Sequence, residues 1–87
     1  SPTVQLGRNC SGAIVYSDRD EVTGDVLTLV LTAKHCTERT GQPIDVIVPV
    51  YVENRIVREE VYKAVVGGRY ALHDLAYLRL LDADTLM

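Results

Sequence analysis

The chain has 87 residues, 47% of them hydrophobic and 24% charged, with nine Lys and Arg against twelve Asp and Glu and a formal net charge of -3. That composition marks a folded domain with room for a single core and excludes a disordered polymer. The basic residues are scattered without a run, which removes the electrostatic footprint a nucleic-acid partner requires, and no apolar stretch approaches the roughly 18 residues of a membrane-spanning helix.

The opening SPTVQLGRNC lacks the charged start and apolar run of a secretory leader; one already removed would leave no trace. No shift in charge or in Gly and Pro content marks a linker, and no repeat is visible, so one domain over 1–87 is expected. Short runs rich in Val, Ile, Leu, Thr and Tyr, broken by turn residues, give the chain a β texture throughout. TVQL at 3–6 is a first strand, and GAIVYS at 12–17 is a second, followed by a polar hairpin whose turn chemistry comes from Thr23-Gly24-Asp25. VLTLVLTA at 26–33 places Leu27, Leu29 and Leu31 on one face and Val26, Thr28, Val30 and Thr32 on the other. Both faces are largely apolar, as in a central strand.

TERTGQP after Cys36 is a loop with room for one helical turn. IDVIVPVYVEN at 44–54 is a strand whose Pro49 removes a ladder donor and so belongs at an edge or a bulge. Over 55–67, Val57, Val61 and Val65 oppose Arg58, Glu60 and Tyr62, as in a strand with one wet side; a helix over 55–66 is the rival, since REEVYKA has fair helix propensity. GGRYALH is a connection, and 74–81 is a sixth strand in which Leu75, Tyr77 and Arg79 alternate with Ala76, Leu78 and Leu80. Six short strands with hairpin-like connections predict an all-β chain closed into a small six-stranded antiparallel barrel, which leaves no open sheet edge.

Chemistry-bearing residues are few. The two histidines, His35 and His73, both lie at strand boundaries, and Asp74 sits at the mouth of an apolar strand, where a carboxylate could accept an imidazole N–H and orient the ring. The two cysteines, Cys10 and Cys36, are either buried free thiols or a disulfide closing a loop of about 26 residues, worth on the order of 3 kcal/mol to so small a core. A zinc site from Cys10, His35, Cys36 and His73 lacks Cys-x-x-Cys or His-x-x-x-His spacing. Asn9-Cys10-Ser11 fits the glycosylation pattern, but a bonded, buried Cys10 would disfavour modification. Glu59-Glu60, Asp82 and Asp84 read as solvated surface, and His73 as a solvated neighbour of the site.

Three segments carry a resemblance: CSGAIV at 10–15, VLTAKHC at 30–36 and HDLAYLRL at 73–80. In this order they resemble the landmarks of the first half of a trypsin-like, chymotrypsin-fold serine protease. That family has a Cys-Gly-Gly-type strand, then a Thr-Ala-Ala-His-Cys-type segment holding the catalytic histidine, then an Asp-Ile-Ala-Leu-Leu-type strand opened by the catalytic aspartate. The resemblance implies that His35 is the general base, Asp74 its orienting carboxylate, and Cys10–Cys36 a disulfide bracing the histidine loop. It implies peptide-bond hydrolysis with no metal or organic cofactor, and an N-terminal barrel whose C-terminal partner barrel is absent from this sequence.

The sequence also departs from the family pattern. Lys34 stands where the family has a small residue, the Cys10 to Cys36 spacing is longer than usual, and the start is not of the Ile-Val-Gly-Gly type. Ser11 replaces a family glycine, and none of the three serines, Ser1, Ser11 and Ser17, has the flanking glycines of a nucleophile loop. No nucleophile is therefore expected here, and the chain alone should be inactive. Its barrel face should be covered by the missing half, by another polypeptide or by self-association. The alternative is a non-catalytic binding or structural module on the same barrel. A disulfide would favour a secreted or otherwise oxidising setting.

Overall fold

The structure, a computed structural model, describes residues 3–7 and 9–81. It contains β1 (Thr3–Leu6), β2 (Cys10–Arg19), β3 (Val26–Ala33), β4 (Pro43–Val52), β5 (Arg55–Tyr70) and β6 (Leu75–Leu80), with single 3-10 turns at Lys34–Cys36 and Ala71–His73. The strands close into one antiparallel barrel in the order β1-β2-β3-β6-β5-β4, with β4 pairing back onto β1. The expected all-β, six-stranded antiparallel barrel is therefore the observed fold. The rival helix over 55–66 is replaced by strand throughout, because β4 pairs with β5 from Arg55 to Val65 and β6 takes over from Ala64.

Closure leaves a narrow interior, filled by Val4, Leu6, Ile14, Val30, Val46, Ala64, Val66, Leu78 and Leu80, with Ala76 also buried. These are mainly small and β-branched residues, and that selection decides which face of β3 points inward. Thr28, Val30 and Thr32 are buried while Leu27 and Leu31 are 41% and 39% exposed. Two inward hydroxyls are tolerable because both are satisfied: Thr28 Oγ1 lies 2.7 Å from Ser17 Oγ, and Thr32 Oγ1 donates to the Ser11 carbonyl at 2.9 Å. The leucines, the more apolar row, lie on the outer wall.

The same inversion occurs in β5, where Tyr62, Ala64 and Val66 face the core while Val57 and Val61 stay exposed. The wet side of this strand thus carries valines. In β6 the alternation is as expected, with Ala76, Leu78 and Leu80 inside.

Three register shifts give the barrel its curvature: between Ile14 and Tyr16 in β2, opposite Val50 and Tyr51 in the β4–β5 ladder, and between Val66 and Gly68 in β5. Pro49 lies opposite Glu59 of β5, beyond the two-residue pairing of β4 with β1 and just before the second shift, so one side of β4 is an edge there. The last shift depends on Gly67 and Gly68, across whose backbone the Tyr77 ring lies. A Cβ on Gly68 would come 2.5 Å from Tyr77 Cε1.

Connections follow turn chemistry. Glu53 and Asn54, at φ 52° and 67°, make the two-residue turn between β4 and β5. The loop from Asp20 to Asp25 is held by Asp20 Oδ1, which accepts the Val22 and Thr23 amides, with Gly24 at φ 78°. The helical turn expected within 37–43 falls earlier, on Lys34–Cys36, and so on the histidine itself. Asp82 and Asp84 lie outside the described residues, as does Ser1.

Candidate functional site

β3 and β6 are neighbours, with Ala33 opposite Leu75. Antiparallel pairing thus brings the end of one strand beside the start of the other, and His35 and Asp74 are the residues just past those ends. Asp74 does not open β6 itself. It caps the 3-10 turn Ala71–His73 in the left-handed region, at φ 50° and ψ 47°, and the strand starts at Leu75. An aspartate tolerates this conformation better than most residues.

Two bonds join the pair and a third ties the preceding residue to it. His35 Nδ1 lies 2.6 Å from Asp74 Oδ2, the His35 backbone N–H donates to Asp74 Oδ1 at 3.0 Å, and the Lys34 N–H donates to the Asp74 carbonyl at 2.9 Å. Both carboxylate oxygens are engaged, one by the ring and one by the backbone of the same residue, so the imidazole cannot rotate without losing a partner. A carboxylate only accepts; in the neutral ring the proton therefore sits on Nδ1, leaving Nε2 as a free lone pair. Nε2 has no hydrogen-bond partner among the described residues, and the side chain is 72% exposed.

The hydrogen bond from the His35 ring holds the Asp74 carboxyl below its ordinary range. Partial desolvation opposes this, and the His35 amide and the charges of His35 and Lys34 add to it. Asp74 is thereby kept ionised at neutral pH. Lys34, the long residue in a position where a small one was expected, contributes through this field and through its backbone N–H.

The histidine turn is also tied from its far end. Cys36 is bonded to Cys10 at the start of β2, closing a 26-residue separation with the two Cα atoms 6.1 Å apart. With both cysteines in that bond, neither is a thiolate ligand, and no cluster of three or more metal-ligating side chains occurs among the described residues. Cys10 is half-buried while Asn9 is exposed. His73 lies exposed in the turn before Asp74, and its ring makes no hydrogen bond with a described residue. Glu60 is more engaged than a solvated carboxylate, accepting from Arg58 Nη2 at 3.0 Å and from the Tyr62 hydroxyl at 2.6 Å. His35 forms no hydrogen bond with Ser11 or Ser17.

Two residues at the site were missed by sequence reasoning. Thr37 is buried and Arg69 half-buried, and the guanidinium reaches Thr37 with two bonds. Arg69 sits in a stretch expected to be a connection, GGRYALH, which is instead the continuation of β5 to Tyr70. The only hint was an arginine in an otherwise uncharged segment.

An apolar strip borders the pair. Leu31 pairs with Tyr77, and Leu75, directly after Asp74, pairs with Tyr70; Leu31, Leu75 and Tyr70 are 39%, 37% and 54% exposed. No helix among the described residues is long and apolar enough to cross a membrane. No protein-family model matches the chain, and no curated protein or solved structure matches it either.

Proposed function

We propose that this chain supplies the histidine and aspartate of a Ser-His-Asp triad in a trypsin-like serine endopeptidase, as the N-terminal barrel of a double-barrel enzyme. The observation that carries the reading is the doubly anchored His35–Asp74 pair, with Nδ1 bonded to the carboxylate and Nε2 unpartnered among the described residues in a solvent-exposed ring. A buried structural histidine would have both ring nitrogens satisfied. The three motifs in their order, and the disulfide beside the histidine, support the same reading.

In this mechanism a serine from a second barrel attacks the scissile carbonyl and His35 Nε2 takes its proton. Asp74 holds the Nδ1–H and stabilises the imidazolium, and His35 then gives the proton to the leaving amine; water completes the cycle by hydrolysing the acyl-enzyme. The strip formed by Leu31, Leu75 and Tyr70 is where the second barrel packs, since it begins at the residues flanking the pair and is apolar. The substrate is a peptide or protein, and the disulfide suits an oxidising compartment.

The test is labelling of the intact protein, isolated from its source, with a fluorophosphonate active-serine probe, alongside a His35→Ala version. Covalent labelling that His35→Ala abolishes is expected. An intact protein that is folded, retains the His35–Asp74 bond and takes no probe would instead be a non-catalytic module. The 87-residue chain alone is expected to hydrolyse no peptide, because triad members act as a unit.

A further inference from the structure

The His35 turn is a single 3-10 turn of three residues, too short to hold its own geometry. Its N-terminal side is bonded to Asp74, and its C-terminal side is closed by Thr37, which uses two groups on one acceptor. The Thr37 N–H donates to the Lys34 carbonyl at 2.9 Å, and Thr37 Oγ1 donates to the same oxygen at 2.7 Å. The hydroxyl has then spent its only proton and can only accept. Arg69 fills that role, with Nε donating to Thr37 Oγ1 at 2.7 Å and Nη2 to the Thr37 carbonyl at 2.9 Å. The bonds therefore run in one direction, from the guanidinium through Thr37 to the carbonyl of the residue before His35.

The bulge in β5 makes this contact possible. Ala64 and Val66 point into the barrel, and an unbroken strand would turn residue 68 inward and residue 69 outward. The shift between Val66 and Gly68 reverses that parity: Arg69 pairs with the buried Ala76, and directly opposed residues share a face. Arg69 therefore points inward at the end of the barrel beneath the His35 turn, where Thr37 is buried. A planar fork with fixed donor spacing holds both Thr37 oxygens, which an ammonium cannot do with the same geometry.

We infer that Arg69, acting through Thr37, is a positioning residue that keeps the His35 imidazole in register with Asp74. The inference rests on reading His35 and Asp74 as a working pair.

It is tested on the isotope-labelled chain by nitrogen NMR of the His35 ring, which reports the tautomer and the exchange of the Nδ1 proton, in Thr37→Val, Thr37→Ser, Arg69→Met and Arg69→Lys. The parent and Thr37→Ser are expected to hold the Nδ1–H tautomer. Thr37→Val and Arg69→Met are expected to exchange that proton about tenfold faster or more, with the methyl signals of Val30 and Leu78 unmoved. Arg69→Lys should resemble Arg69→Met. Should Arg69→Met fail to fold, the near-isosteric Thr37→Val against Thr37→Ser decides the question alone. Unchanged tautomer and exchange in Thr37→Val would overturn the inference, and a parent without the Nδ1–H tautomer would overturn the pair on which it rests. In the intact protein, Arg69→Met should lower kcat by about 10- to 100-fold with KM nearly constant. A protein without protease activity would leave the NMR result standing, so the two readings fail separately.

Discussion

Removing the Cys10–Cys36 bond tests how much of this small barrel's stability comes from constraint of the unfolded chain. The cysteines are 26 residues apart in sequence, and the chain-entropy relation for a loop of that size gives about 12 cal/mol/K, or roughly 3.5 kcal/mol at 25 °C. An 87-residue domain has a total stability of about 4 to 13 kcal/mol, so the bond supplies a large share of it. The double variant Cys10→Ser/Cys36→Ser avoids a lone thiol that would cross-link between molecules. With a urea m-value of about 1 to 2 kcal/mol/M for a domain of this size, its unfolding midpoint should fall by about 1.8 to 3.5 M. Urea titration followed by far-ultraviolet circular dichroism measures this, with the parent under reducing conditions as a second comparison. A double variant whose midpoint stays within about 0.3 M of the parent would refute the reasoning, by showing that the unfolded chain is already compact enough for the tether to cost it nothing.

Other outcomes follow from the same geometry. Asp74→Asn replaces one accepting oxygen with a donor and so disfavours the Nδ1–H tautomer; under the proposed triad it should lower kcat of the intact protein by about 10⁴-fold, read by steady-state peptide hydrolysis. Asp74, Asp20 and Glu60 each have a carboxyl held below its ordinary value in the fold, by the His35 ring, by the Thr23 and Val22 amides, and by Tyr62 and Arg58 respectively. Groups lowered on folding stabilise above their unfolded pKa of about 4, and that contribution is lost as pH falls through the folded values. Urea midpoints should therefore drop below pH ~4, and Asp20→Asn should flatten that acid limb; a limb of unchanged slope would count against the assignment. Gly12→Ala would bring a Cβ to 2.7 Å from Val30 Cγ1 and 2.9 Å from the Leu31 carbonyl. One of those neighbours is backbone between paired strands, so destabilisation of about 1 to 3 kcal/mol is expected by denaturant titration.

Most of the strands were legible in the residues alone, because runs of β-branched and apolar residues lie between turn signals; the strand state of 55–66 and the extension of β5 to Tyr70 were decided by pairing with β4 and β6. The sequence also offered His35 and Asp74 as a candidate pair, through the order of three motifs that resemble the first half of a trypsin-like protease. The inward faces of β3 and β5 were not legible in it: both faces of β3 are apolar enough to be core, and only closure of a narrow barrel selected Thr28, Val30 and Thr32 over the leucines, while in β5 the valine row, opposed to Arg58 and Glu60, turned out to be the exposed one. The Arg69–Thr37 contact was equally hidden, since it joins residues 32 apart and depends on one extra residue in β5 that reverses the side-chain parity. A local pattern reports what a segment can form. Which side it buries, and what its far end meets, is decided by the volume and register of the closed sheet.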